Sequence, residues 1–432
     1  MRKLTIKNVG PISKTTEIEF NRFCILIGPQ SNGKSTIAKV MSTCMWIEKE
    51  ACTSLSTSVI NTGTAFRLHL EDFHRMHGYI DPTLSYIEYQ SDYISLVYNK
   101  GDFTLSFKNI ESYHRQKISY VPSDRNVVTM KDIEKRELEN TNFRSFLFDW
   151  LETNRHFNKD NTISILSLDI KYYYDAALKD KKDRLVHNNG KSYDISLYDA
   201  SSGMQSAVPM TVLIHYLVND YFDNYNKEIS FEQRDKNIEL SWRIVKYILQ
   251  KNYPNKVTDD NYKSFFNDNI KTKQEHGDES AKKIMNEMRS FYKQLTEPES
   301  ISFILEEPEQ NLYPNTQVEL IKDIVKACNG DHPSTLLITT HSPYILTAIN
   351  NLIYAAKVGK NSPEAVEQII PQKMWLSEDI VSAYRVADGT AEIIMDDEIK
   401  EIMAEKIDEV SQDINKQYEL LAEIEYETNH ED

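Results

Sequence analysis

Nine consecutive residues of this chain have the types and spacing to hold a polyphosphate. Gly28-Pro29-Gln30-Ser31-Asn32-Gly33-Lys34-Ser35-Thr36 follows the apolar run Cys24-Ile25-Leu26-Ile27 and opens a segment of helical periodicity. The pattern G-x-x-x-x-G-K-S-T requires a strand before it and a helix after it, and both flanks are in place. Gly28 and Gly33 permit backbone angles closed to other residues, so successive N–H groups can curl around an anion at the positive end of a helix. Lys34 is then expected to reach the β- and γ-phosphates of a nucleotide, and the Ser35 hydroxyl to ligate Mg²⁺. A plain glycine-containing turn ahead of a helix would need neither the Lys-Ser pair nor this spacing.

Two further stretches supply groups that chemistry on a polyphosphate would need. Ile301-Ser302-Phe303-Ile304-Leu305 reads as a buried strand ending in Glu306-Glu307-Pro308-Glu309. Glu306 is expected to hold Mg²⁺, directly or through water, and Glu307 to polarise an attacking water as general base. Leu336-Leu337-Ile338-Thr339-Thr340 is a second such strand, and it ends at His341. A helix over Thr316–Cys328 lies between them. A β-α-β unit of this kind brings both strand ends to one edge of a parallel sheet, where His341 can contact a γ-phosphate. Ser201, Ser202 and Gly203 stand at the start of another helical segment and expose N–H groups to an anion, although taken alone they are only a helix cap.

The remaining elements must hold these stretches in register. Residues 3–9 and 15–20 alternate like strands around Gly10-Pro11, and 93–107 reads as a hairpin turning at Asn99–Asp102. Residues from about 130 to 160 have a helical pattern with Phe143, Phe146, Leu147, Trp150 and Leu151 on one face. β character returns over 167–199, with Asn188-Asn189-Gly190-Lys191 as a turn. From about 212 to 297 the chain reads as helices without sustained heptads, hence a packed lobe rather than a coiled-coil arm.

Composition narrows the function classes. The 432 residues carry a net charge of −16, and the segment from Ala391 onward, with fifteen acids against three lysines, supplies −12 of it. Such a balance lacks the basic footprint of a free-standing nucleic-acid binder, though a local basic groove formed on assembly stays open. No apolar run approaches a membrane span and the first residues do not form a leader, so a cytoplasmic protein is expected. Cys24, Cys44, Cys52 and Cys328 read as isolated thiols. From Asp396 to about Tyr426, apolar residues recur every three or four positions, among them Ile399, Ile402, Tyr418, Leu421 and Ile424. They predict an acidic amphipathic helix that either docks on its own body or holds a partner.

As a set, these motifs resemble the ABC-type ATPase heads of the SMC, RecF and overcoming-lysogenization-defect lineage, often labelled AAA family ATPases. Gly28–Thr36 matches the Walker A motif, Ser201-Ser202-Gly203-Met204-Gln205 resembles the ABC signature, Glu306–Pro314 matches the Walker B and D-loop stretch, and His341 matches the switch histidine. Val121-Pro122-Ser123-Asp124-Arg125 resembles a turn of that lineage. The resemblance implies an α/β P-loop NTPase: a head with a mixed sheet flanked by helices over residues 1–375, helical inserts near 130–160 and 212–297, and an acidic helical tail over 376–432. It further implies ATP and Mg²⁺ as ligands and a head-to-head homodimer or higher homo-oligomer, in which Ser201–Gly203 of one subunit completes the other's site. Lys34, Glu307 and His341 take the catalytic roles, and Ser35 and Glu306 the metal.

Three departures bear on function. Glu306 stands where the lineage commonly has Asp, and Gln116 is a Q-loop candidate by position only. The third is that the 91 residues after His341 contain no Asp-x-Asp motif of a fused Toprim nuclease. The expectation is therefore a stand-alone ATPase regulating a separately encoded effector in bacterial anti-phage defence. The competing expectations are a RecF/SMC-like repair ATPase acting on duplex DNA, a scaffold that binds ATP as structural glue, and a transporter ATPase.

Overall fold

The computed structural model describes residues 2–187, 193–225, 231–403 and 409–428. β1 (Arg2–Lys7) and β2 (Thr16–Phe20) pair antiparallel, and β3 (Phe23–Ile27) leads into α1 (Lys34–Ser54). After α2 (Gly63–His74) come β4 (Tyr86–Gln90), β5 (Ile94–Asn99) and β6 (Asp102–Phe107). They extend the first hairpin into an antiparallel sheet of order β2-β1-β4-β5-β6. The β5–β6 turn is the expected one: Lys100 and Gly101 both have positive φ, the geometry that matches the twist of two strands joined by two residues.

β7 (Gln116–Val121), β12 (Ser300–Glu306), β13 (Ser334–Thr340), β3 and β14 (Val381–Ala387) run parallel, in the order β14-β3-β13-β12-β7. β15 (Thr390–Ile393) closes the edge antiparallel to β14. Both faces of this sheet are covered. Phe23, Ile25, Ile27, Phe303, Leu305 and Ile338 point into one core, while Cys24, Leu26, Ile304, Leu337 and Val386 point into the other. Continuous apolar runs such as Phe23–Ile27 are what a parallel strand buried on both sides needs.

The first core is completed by α3 (Asn142–Thr153), α4 (Ser202–Asn219), α7 (Pro314–Cys328) and α8 (Pro343–Gly359). A small antiparallel sheet, β11 (Tyr193–Ser196), β10 (Asp183–His187), β9 (Ile170–Tyr174) and β8 (Ile163–Ile165), joins the same side. The turn expected at 188–191 lies outside the described residues. The second core holds α1, the antiparallel sheet, and the apolar faces of α5 (Phe231–Asn252) and α6 (Glu279–Thr296). The helical lobe therefore packs back onto the body, as the absence of heptads led us to expect. The mixed α/β fold, with a P-loop between its central strand and first helix, is consistent with an ABC-type head.

Element boundaries differ from expectation in three places. Within 130–160 the helix is confined to Asn142–Thr153, because Thr141 caps it by accepting a hydrogen bond from the Arg144 N–H. Residue 212 lies in the middle of α4, which starts at Ser202 and is buried along most of its length, so the helices beyond the core begin after Asn219. The third correction concerns the tail from 376, which is not helical throughout. Val381–Ala387 and Thr390–Ile393 form a hairpin turning at Asp388-Gly389, both with positive φ, and β14 lies directly beside β3. Asp396 then folds over the N–H groups of Glu398 and Ile399, and Ile402 is buried, so no helix forms at 396–402. The described helix is α9 (Glu409–Thr428), with Tyr418 (74%), Leu421 (65%) and Ile424 (60%) exposed.

Candidate functional site

Parallel pairing brings the ends of β3, β12 and β13 to one edge: Thr340 is opposite Ile27, and Glu306 is opposite Thr339. At β3 the chain turns through Gly28 (φ 153°), Ser31 (φ 60°) and Gly33 (φ 102°) before α1 begins at Lys34. Gly28 is required twice over. Its φ lies in the region glycine alone adopts easily, and a Cβ would sit 2.1 Å from the Val386 carbonyl oxygen on β14. Pro29, Gln30 and Ser31 are exposed, the Asn32 amide closes the loop on the Gln30 carbonyl at 2.9 Å, and Thr36 is buried in the first helical turn. Ser35 is partly exposed beside it.

Lys34 is only 5% exposed, and its Nζ donates to the carbonyls of Gly28 and Pro29, both at 2.8 Å. It also lies 3.3 Å from His341 Nδ1. His341 Nε2 is in turn 3.3 Å from Glu307 Oε1. An ammonium on one ring nitrogen and a carboxylate on the other assign the ring proton to Nε2, so Nδ1 accepts and Nε2–H donates. Residues more than 300 positions apart thus form one chain of polar contacts, Lys34–His341–Glu307. Burial lowers the Lys34 ammonium to about 8, against the opposing pull of Glu307 and Glu309. The hydrogen bond from His341 holds the Glu307 carboxyl below the usual range, with Lys34 adding to it.

Glu306, the last residue of β12, is 4% exposed. Its Oε2 accepts from the Ser123 N–H at 3.2 Å, while Oε1 is buried and makes no hydrogen bond of good geometry, with the buried Tyr120 hydroxyl close to the carboxylate. A buried carboxylate oxygen met by no well-formed hydrogen bond is costly unless a cation or water reaches it, which fits a metal ligand. Among the described residues no group of three or more His, Cys, Asp or Glu side chains could hold a metal ion alone. A single carboxylate and a hydroxyl instead suit a Mg²⁺ shared with substrate phosphates.

Ser201 and Ser202 are exposed at the start of α4. Gly203 behind them is buried, and a Cβ there would stand 2.7 Å from the Asn311 carbonyl oxygen, so it seats the helix on the stretch after Glu309. Neither serine side chain hydrogen-bonds with Lys34, Glu307 or His341, and the structure does not place the two groups in one site of a single chain. Gln116 is the clearest correction. It begins β7, paired with Ser300, at the end of the sheet opposite Glu306. Six residues of extended chain separate it from the site edge, roughly 20 Å.

Two functional candidates carried no assigned role in the sequence. Glu309 Oε1 accepts from the Thr340 hydroxyl at 2.8 Å and from the His341 N–H at 2.7 Å, fixing the histidine's backbone. Its position two residues after Glu307 was the available signal. The second is Arg125, which is fully buried and reaches the carbonyls of Glu306 and Glu307, both at 2.8 Å. No helix among the described residues is long and apolar enough to cross a membrane.

No family model and no curated protein matches the chain. Solved structures similar to it include the SMC head domain from Thermotoga maritima, at a TM-score of 0.36 and 9% identity over 91% of this chain and 97% of that one. Another is the Smc head with an extended coiled coil bound to the C-terminal domain of ScpA from Pyrococcus furiosus (TM-score 0.30, 10% identity, 96% and 100% covered). A third is the recombination mediator RecF with ATP (0.29, 9%, 90% and 96%). Likenesses this distant assign no role to any residue here.

Proposed function

We propose that this chain is an ABC-type ATPase that binds ATP with Mg²⁺ and hydrolyses it slowly. The observation that carries the reading is the Lys34–His341–Glu307 chain at the edge where the P-loop opens. Gly28–Thr36 would wrap the phosphates, with Lys34 leaving its loop carbonyls for the β- and γ-oxygens. Ser35 and Oε1 of Glu306 would hold Mg²⁺, which supplies charge neutralisation of the phosphates. Glu307, kept ionised, would take a proton from the attacking water, and His341 would orient that carboxylate and touch the γ-phosphate.

Ser201, Ser202 and Gly203 would act on the nucleotide of a second copy, since the two serines are exposed at the helix start while Gly203 seats that start on the stretch after Glu309. The expected assembly is an ATP-linked homodimer. We further propose that it regulates a separately encoded effector in anti-phage defence, with the exposed stripe of α9 as a contact. The net charge of −16 weighs against the duplex-DNA reading.

Purified protein with Mg²⁺ and ATP tests the central claim. Glu307→Gln should bind ATP normally while turnover falls about 10²-fold or more. In that background ATP should drive dimerisation seen by light scattering, and Ser202→Arg should abolish it with monomer affinity intact. Undiminished turnover in Glu307→Gln removes the base. A dimer indifferent to ATP and to Ser202→Arg removes the proposed interface.

A further inference from the structure

Arg125 stands in the turn after β7, and its guanidinium is fully buried. Its five hydrogen bonds all go to backbone carbonyls. Nη1 donates to Glu306 (2.8 Å) and Pro122 (3.2 Å), Nη2 to Glu307 (2.8 Å) and Pro308 (3.4 Å), and Nε to Ser206 on α4 (3.0 Å). Five donors in a rigid fork meet five acceptors from three separate segments. Burial lowers this guanidinium to about 10, with the nearby acids opposing the shift. A buried cation is expensive unless it is fully hydrogen-bonded, and a neutral amide could not span the same distances.

The acceptors are informative. Three belong to the turn that carries both acids of the site. Glu307 has φ 43°, a left-handed angle uncommon outside glycine, and its peptide is held from both sides: its N–H donates to Thr339 and its carbonyl accepts from Arg125. The remaining long-range acceptor, Ser206, lies one helical turn beyond Ser202. Pro209 has no N–H to meet the Gln205 carbonyl, so the helix ladder lacks one bond next to the Ser206 carbonyl that Arg125 reaches.

We propose that Arg125 is a positioning residue: it ties the second turn of α4, just beyond Ser202, to the Glu306–Pro308 turn. A phosphate seated on Ser201 and Ser202 by a second copy of this chain then adjusts the alignment of Glu307 in the same subunit. This rests on the reading of Glu307 as the base and of the two serines as phosphate contacts.

The test uses the full chain carrying Arg125→Lys, whose single ammonium cannot bridge both segments. The expected result is ATP affinity within about threefold of native and kcat lower by about 10²-fold, the size that a misplacement near 1 Å produces. Amide exchange across residues 306–309 should accelerate, and adding Ser202→Ala should lower kcat no further. A folded Arg125→Lys with native kcat overturns the proposal. So does an equal loss of affinity and kcat, which would mark mere structural support, or a Ser202→Ala effect that simply adds.

Two further arms keep the outcome readable. If native protein does not hydrolyse ATP, the base assignment fails while the tie is judged by exchange alone. If Arg125→Lys does not fold, the exposed Ser202→Arg variant asks the same question from the other end. Without nucleotide, it should alter exchange at 306–309, and unchanged exchange overturns the tie.

Discussion

β7, β12 and β13 carry a polar cluster at each end, and the two differ in how completely they are satisfied. At the starting edge, Arg2 Nη2 donates to Gln116 (2.8 Å) and Glu48 (3.2 Å), and Nε to the Tyr89 hydroxyl (3.1 Å). Tyr89 and the Gln116 amide in turn donate to Glu48, and Ser302 and Thr335 extend the network. At the finishing edge, one oxygen each of Glu306 and Glu309 is buried without a well-formed hydrogen bond, and Lys34 has only its own loop carbonyls and a histidine. The two cations, Lys34 and Arg2, shift in opposite directions. Burial alone would lower both, and it does lower Lys34 to about 8, but Tyr89 and Glu48 outweigh it at Arg2 and push that group up. A closed network holds a fold together. One left short of partners is built to receive something.

The largest test of this contrast is Glu48→Ala. Its carboxylate is fully buried, and removing it strands Arg2, which should lower stability by about 3 kcal/mol or more. Chemical denaturation measures this, and ATP turnover per folded molecule should hardly change. A stable Glu48→Ala protein that has lost turnover would reverse the two roles. Gly28→Ala should do the opposite. Forcing a Cβ against the Val386 carbonyl strains the loop by about 1–3 kcal/mol, which should appear as at least tenfold weaker ATP binding with a smaller change in melting temperature. Native affinity in Gly28→Ala would show that the loop has room it does not display.

The Lys34 shift gives a pH test with a definite sign. Because its folded value lies near 8, the free ammonium loses its proton above that pH, while bound phosphates would restore it. ATP binding without Mg²⁺ should therefore take up a proton at pH 9 but not at pH 7, with affinity falling up to tenfold per unit above pH 8. Calorimetry in buffers of different ionisation heat reads the uptake directly. Its absence at pH 9 would mean Lys34 does not meet the phosphates.

How far the sequence carried this reading depended on the kind of information each feature uses. Gly28 to Thr36 is local, so spacing sufficed. Glu306 and His341 were legible because apolar runs end at them and β-α-β geometry decides which edge they share. Gln116 was misread because chain order does not say which end of a strand a residue occupies. Arg125 could be quoted within a motif but given no task, since its partners are backbone carbonyls and carry no residue identity. β14 was missed as a neighbour of β3 because pairing across some 360 residues leaves no local trace, and a tail drawn from 376 therefore took in a strand of the central sheet.

The smallest expected effect concerns that tail. Leu421 is exposed on α9, so Leu421→Ser should change stability by less than about 0.5 kcal/mol. A clear drop in melting temperature would mean the helix docks on its own body after all.

α1 joins the two clusters physically. Lys34 opens it and Glu48 lies fourteen residues along, about 21 Å away at 1.5 Å per residue. A straight helix of fixed pitch has no slack, so its length is a shared dimension of both ends. One residue inserted between them would advance the rod by about 1.5 Å and turn it by about 100°. Either Glu48 would swing off Arg2 or Lys34 would leave the strand edge. The stretch between α1 and α2, by contrast, can lengthen with little consequence. The tolerance of this protein to insertions and deletions should therefore fall sharply at Lys34 and recover after Ser54.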